Sequence, residues 1–380
     1  MLVPRECRPG ETRVAATPET VRRLSARGCT LQVEQGAGAA SGFDDAAYGE
    51  AGAQLIDPNG SSAEHWSQAD VVLAVQAAAI AQQRQELQVL RPGSLLMGLL
   101  EPHANDALKQ QLEQRRLSAM ALELLPRISR AQTMDVLSSQ ANIAGYKAVL
   151  LASAALDRYV PMLMTAAGTI QPARALILGA GVAGLQALAT ARRLGAVVYV
   201  SDVRAAAKEQ VESLGGRFIA PPEQEQKPGE SGGYAQQASE AFLAEQRRQL
   251  TEQLALADMV ICTAQVPGRQ APRLIDDAML QHMRPGSVVV DLAVAQGGNC
   301  EGTEPGATVL RHGVQLIGAD QLPCSVANHA SALYARNVAA LLEHLLEAPG
   351  SNPGALQLDL EDPIVSGCLF THHAAAGASA

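Results

Sequence analysis

Aromatic residues make up only 3% of this 380-residue chain, so Ala, Val, Leu and Ile must build its interior. Charged residues are also sparse, at 18% against 47% hydrophobic, a balance that excludes a disordered chain. The formal net charge of −9 leaves no basic excess, which excludes nucleic acid as a partner and disfavours adsorption to anionic lipid. The six cysteines (Cys7, Cys29, Cys262, Cys300, Cys324, Cys368) form no CxxC pair and no zinc spacing. They read as small buried hydrophobes in a reduced, cytoplasmic protein, and no metal site is expected. No window supplies the roughly 18 apolar residues that span a bilayer, so no direct membrane insertion is expected. The longest candidate, ALILGAGVAGLQALATA, is broken by three glycines.

What is present is strand and helix in alternation. CTLQVEQ, DVVLAV and SLLMGLL read as buried strands; PETVRRLSARG, DAAYGEAGAQ and NDALKQQLEQRR between them carry apolar residues at helical spacing. The order implies a parallel α/β sheet. Asp135 to Leu156 reads as one long helix with a small-residue apolar stripe at Leu137, Ala141, Ala144, Ala148, Leu151 and Ala155. Pro161 and Pro172 then punctuate the way into a second α/β region with strands ARALILG, AVVYVSD, MVICTAQ, SVVVDLAV and VQLIG. A second long helix begins near Ala330 and returns the chain to the first region. The expected architecture is two Rossmann-like, doubly wound parallel-sheet domains with a nucleotide cleft between them. Residues 1–136 plus 328–380 form one domain and 137–327 the other.

The run ALILGAGVAGLQALATARRLGAVVYVSDVR carries a dinucleotide fingerprint. An apolar strand enters Gly179-Ala-Gly181-Val182-Ala-Gly184, a helix follows, and a second strand ends at Asp202. Gly179 permits the tight turn, Gly181 the approach of a pyrophosphate, and Gly184 close packing of helix on strand. Asp202 suits a ribose diol and repels a 2′-phosphate, which favours NAD(H) over NADP(H). Val182, Val203 and Arg204 complete the candidate cofactor contacts, with Arg204 equally readable as a solvated surface charge. EQGAGAASGFDD also holds three glycines after a strand, but its last spacing is one residue longer, and it reads as a strand-to-helix turn.

RISRAQTMDVLSSQ (127–140) concentrates two arginines, two glutamines, an aspartate, a threonine and three serines, with no nucleophile beside a base. On the residues alone, Arg127 and Asp135 read as an ion pair tethering a loop to a helix start.

Several segments together resemble the NAD-binding domain of proton-translocating nicotinamide nucleotide transhydrogenase. They are TRVAATPETV, RISRAQTMDVLSSQANIAGYKAV, PMLMTAAGTIQPARALILGAGVAGLQA, DVRAAAKEQVESLGG, VPGRQAPRLI, VVVDLAVAQGGNCEGTEPG and ASALYARN. The resemblance implies that Arg127, Asp135 and Ser138 hold the carboxamide and ribose at the nicotinamide end. It also implies that Gln132 reaches toward NADP(H) on a partner domain. The polar stretch around Gly233 and Tyr234 resembles the family's mobile loop. The resemblance further implies NADP-binding and membrane-spanning partner subunits, a homodimer, and a cytoplasmic chain held at the membrane through those partners. Hydride transfer between two nicotinamides needs positioning rather than an acid–base pair, which suits the composition of 127–140. Alanine dehydrogenase is the alternative within the wider superfamily. It resembles this chain in TRVAATP but needs a lysine where Ala74 stands and an acid where Ala295 stands. Transhydrogenases commonly keep that lysine too. EPHANDAL, with His103, and LPCSVANHAS, near His329, depart from both patterns.

Overall fold

The computed structural model describes residues 1–60, 62–222, 240–266, 268–346 and 356–373. The chain forms two compact units, Met1–Gln140 with Pro323–Ala380, and Ala141–Leu322. In chain order, the first unit holds strands β1 (Leu2–Val3), β2 (Gln32–Glu34), β3 (Gln54–Ile56), β4 (Val71–Leu73), β5 (Leu95–Gly98) and β6 (Ser118–Ala121). The second holds β7 (Leu163–Thr165), β8 (Gly168–Ile170), β9 (Arg174–Leu178), β10 (Val197–Ser201) and β11 (Arg217–Ile219). It continues with β12 (Met259–Cys262), β13 (Val288–Asp291), β14 (Thr308–Arg311) and β15 (Val314–Gly318), and β16 (Leu369–Thr371) falls back in the first unit.

Both large sheets have the same winding. In the first unit the parallel strands lie β3-β2-β1-β4-β5-β6, with β16 antiparallel on the β6 edge. In the second they lie β11-β10-β9-β12-β13-β15, with β14 antiparallel on the β15 edge. This is the doubly wound order, and its direction reverses between β1 and β4 and again between β9 and β12. The central strands are buried on both faces, which is why VVL, LLMG, MVIC and VVVD read as unbroken apolar runs. The few aromatics are placed deep: Trp66, Tyr48 and Tyr334 are fully buried. Their polar ends are engaged, Tyr334 Oη donating to the Ala74 carbonyl (2.9 Å) and Tyr48 Oη to that of Ala16 (2.7 Å).

Three expectations need correction. The helix Val136–Ala155 forms, but the stripe assigned to it does not face a core: of its six residues only Ala148 is buried, and Leu137 is 41% exposed. The sequence is apolar on nearly every side of this helix, so periodicity does not select a face. Gly145 does, because a Cβ there would lie 2.1 Å from the Ala183 carbonyl oxygen. Gly145, Ala148, Val149 and Ala152 therefore turn inward. Second, the prolines flank an antiparallel hairpin, β7–β8, that no pattern announced. Third, Cys29, Cys262, Cys300 and Cys368 are buried, but Cys7 and Cys324 are only half-buried. Cys324 Sγ donates to Glu11 Oε1 (3.2 Å) because the carboxylate lies beside it. EQGAGAASGFDD is a turn and a short 3-10 segment, Ala39–Ser41, between β2 and the helix Asp45–Glu50.

Candidate functional site

In the second unit the fingerprint sits at the reversal point of the sheet, where ligands bind in folds of this winding. Strand β9 ends at Leu178, and Gly179 turns the chain with φ +103°, a conformation that favours glycine. A Cβ on Gly179 would lie 2.7 Å from Thr263 Oγ1, so the ends of β9 and β12 are in contact here. A Cβ on Gly184 would lie 1.9 Å from the Gly179 carbonyl oxygen, which lets the helix Val182–Arg193 begin directly against the turn. Gly181 differs from both. A Cβ there meets nothing within 4 Å, and no side chain caps the helix it begins. Open space before an uncapped helix N-terminus is what an anionic pyrophosphate requires.

Asp202 follows β10 and closes the turn from the other side. Its Oδ2 accepts from the Ala180 amide (2.7 Å) and its Oδ1 from the Arg204 amide (2.8 Å). Arg204 is not the solvated charge expected: Nε donates to Oδ1 and Nη2 to Oδ2, both at 2.9 Å. A partly buried carboxylate at the end of a strand draws the guanidinium two residues on. Burial pushes the Asp202 carboxyl up, but the bonds from Arg204 and the Ala180 amide outweigh it and hold the pKa below the ordinary value. Val182 (42% exposed) and Val203 (69%) stand at the rim. The residues fit a dinucleotide, with open space at Gly181, free helix amides and a diol-accepting carboxylate. Gly233 and Tyr234 lie outside the described residues.

Sequence reasoning missed two side chains that hold this turn. Thr263 Oγ1 donates to the Leu178 and Gly179 carbonyls (3.0 and 3.1 Å). Asn299, fully buried, accepts from the Ala264 amide (3.0 Å) and donates to the Ala264 and Pro272 carbonyls (both 2.8 Å). The signal for Thr263 was its place just after an apolar strand; Asn299 has no comparable signal.

In the first unit, Ser129–Met134 forms a short 3-10 segment, and the long helix starts at Val136. The Arg127–Asp135 ion pair is not formed. Asp135 instead caps the helix: Oδ1 accepts from the Ser138 amide (2.9 Å) and Oδ2 from its hydroxyl (2.6 Å). Arg127 and Gln132 are exposed, and neither side chain has a hydrogen-bond or ion-pair partner among the described residues.

The reversal point of the first unit, at the ends of β1 and β4, is filled by the chain itself. Glu6 accepts from the Val75 and Gln76 amides (2.6 and 3.1 Å). Glu11 holds Arg13 through Nε (2.8 Å) and Nη2 (2.6 Å), while Arg13 Nη1 donates to Gln140 (2.9 Å). Burial lifts the Glu6 carboxyl to about 7. Burial also opposes ionisation of Glu11, but Arg13 wins and brings it down to about 2. Ala74 is buried beside this cluster, whereas Ala295, His103 and His329 are exposed.

Two doubly wound α/β units, one with an open glycine turn and a carboxylate at its reversal point, define a nucleotide-binding protein. The chain belongs to the alanine dehydrogenase/PNT family. The family's N-terminal domain model matches residues 2–144 and its C-terminal domain model residues 148–377. The chain is 46% identical over 377 residues to the first portion of a divided NAD(P) transhydrogenase subunit alpha from Rhodospirillum rubrum, covering 99% of this chain and 97% of that one. Alanine dehydrogenase of Bacillus subtilis is 30% identical over 85% of this chain and 79% of its own length. A solved transhydrogenase structure from Sinorhizobium meliloti superposes with a TM-score of 0.86 at 43% identity, covering 98% of this chain and 99% of that one. Among the described residues no helix is long and apolar enough to cross a membrane.

Proposed function

We propose that this chain is the NAD(H)-binding alpha subunit of a proton-translocating transhydrogenase. The bound nucleotide supplies or accepts a hydride, exchanged with NADP(H) on a partner domain. The chain's own residues bind and orient. Gly179, Gly181 and Gly184 with the 182–193 helix receive the pyrophosphate, and Asp202 receives the adenosine ribose in place of the Arg204 fork. Arg127, Asp135 and Ser138 hold the nicotinamide end, and Gln132 faces the partner's nucleotide. The unengaged side chains of Arg127 and Gln132 support these roles.

The observation that carries the reading is the near-complete, 46% identical match to a transhydrogenase alpha subunit. That relative is named as one portion of a divided alpha subunit, which supports NADP-binding and membrane-spanning partner subunits, with this chain held peripherally at the membrane through them. Tyr159, Met162, Met164 and Ile170, at and beside the β7–β8 hairpin, are 48–71% exposed and support a homodimer. Against an amino-acid dehydrogenase stands the engagement of Arg13, which spends its donors on Glu11 and Gln140 and leaves none for a substrate carboxylate.

The test mixes the purified chain with a transhydrogenase NADP-binding subunit and follows exchange spectroscopically. Hydride exchange is expected, with no reduction of NAD when the chain is given alanine alone. Arg127→Ala should lower the transfer rate about a hundredfold while changing the NADH dissociation constant less than about threefold. Full turnover by that variant contradicts the role of the loop.

A further inference from the structure

The segment 127–138 has little regular structure, yet positioning a ring requires that its side chains be held within a fraction of an ångström. Ala131 and Met134, three residues apart, are buried in the core of the first unit. Two apolar anchors on one turn fix its depth but leave it free to roll about the line joining them. Two polar tethers remove that freedom, and both come from the C-terminal part of the chain.

Asn337, on the helix Ala327–Leu345, donates from Nδ2 to the Thr133 carbonyl (2.7 Å). Arg130 donates from Nη2 to Asp362 Oδ1 (2.6 Å). Asp362 is itself fixed. Its Oδ1 accepts from the Ile364 amide (2.9 Å), capping the helix Pro363–Cys368, and its Oδ2 lies 2.5 Å from His344 Nε2. Asn337 is unusual in a second respect, because its Oδ1 is buried with no partner among the described residues. A half-satisfied buried amide costs about 1–3 kcal/mol, so its one strong bond to the Thr133 carbonyl calls for a reason. Placement of the loop supplies one.

We propose that Asn337 and the Arg130–Asp362 pair are positioning elements for hydride transfer, setting the roll of the 129–134 turn and so the direction of Arg127 and Gln132. The inference rests on the role given to the loop above. Neither Asn337 nor Asp362 touches the reacting atoms in this scheme; each acts through the loop backbone.

The test uses the full chain mixed with an NADP-binding transhydrogenase subunit, comparing Asn337→Leu, Arg130→Met, their double variant, Arg130→Lys and Arg127→Ala. Three quantities are read: the NADH dissociation constant, the single-turnover transfer rate and the unfolding midpoint. Asn337→Leu and Arg130→Met should each slow transfer about tenfold, with NADH affinity and the midpoint unchanged. The double variant should depart from the product of the two, because both tethers act on one turn. Arg130→Lys, which keeps the charge, should stay near the wild-type rate. Should Asn337→Leu fail to fold, Asn337→Ser takes its place with the same expectation. Wild-type rates in the tether variants, with Arg127→Ala slow, overturn this inference alone. So does a rate loss accompanied by a matching fall in NADH affinity and midpoint, which marks a merely structural role. A wild-type rate in Arg127→Ala overturns the reading beneath it.

Discussion

At the scale of single residues, the three fingerprint glycines do different work, and substitution should separate them. Gly181 has ordinary backbone geometry (φ −79°) and open space where a Cβ would go. Gly181→Ala should therefore fold with unchanged stability yet bind NADH at least about tenfold more weakly by equilibrium titration, because the methyl stands where phosphate must approach. Gly184→Ala drives a Cβ to 1.9 Å from the Gly179 carbonyl and should lose about 2–4 kcal/mol of stability in denaturant unfolding. Equal behaviour of the two variants would contradict this division. The carboxylates of the first unit make a second prediction. Glu6 rises from 4.5 to about 7, chiefly through burial, so between those values the folded chain keeps a proton that the unfolded chain has lost. Its contribution to stability is full below pH 4.5 and is lost as pH rises to about 7, by at most roughly 3 kcal/mol. Glu11 moves the other way, to about 2, so its contribution is full above 4.5 and is lost as pH falls toward 2. Unfolding free energies measured across pH should lose the neutral-side slope in Glu6→Gln and part of the acid-side slope in Glu11→Gln. The sequence revealed the glycines and Asp202 because their spacing is local. It did not reveal Glu6 against Val75 and Gln76, a contact between residues about seventy positions apart.

At the scale of elements, apolar runs made the central strands legible, since a strand buried on both faces shows an unbroken run. The edges were not legible. β14 is largely exposed, β7 and β8 face outward, and β1 and β16 are only two and three residues long, so none leaves a periodic trace. The helix Val136–Ala155 was legible in extent but not in orientation, because a glycine contact rather than a stripe decides its face. Its start combines two functions at Asp135, which caps the helix and is assigned to the nicotinamide end. These separate by substitution. Asp135→Ala should lose about 1 kcal/mol from loss of the cap. Asp135→Asn, whose amide oxygen can still accept from Ser138, should keep nearly all the stability but transfer hydride more slowly. If Asp135→Asn transfers at the wild-type rate, Asp135 is a cap only.

At the scale of the whole molecule, the chain winds two sheets in the same order and treats their reversal points in opposite ways. In the second unit the point is open and lined by glycine, free helix amides and Asp202. In the first it is occupied by Glu6 and the Glu11–Arg13 pair. One site left open and one filled from within suits a chain that holds a single nucleotide and finds the second on another polypeptide. That is the central claim, and an isotope tests it most directly. NADH carrying deuterium on the transferred face of its nicotinamide is given to this chain, mixed with an NADP-binding transhydrogenase subunit loaded with NADP+, and the NADPH formed is analysed by mass spectrometry. The account predicts that the deuterium appears in NADPH without dilution by solvent protons. NADPH that carries hydrogen from water, or formation of no NADPH, would contradict it.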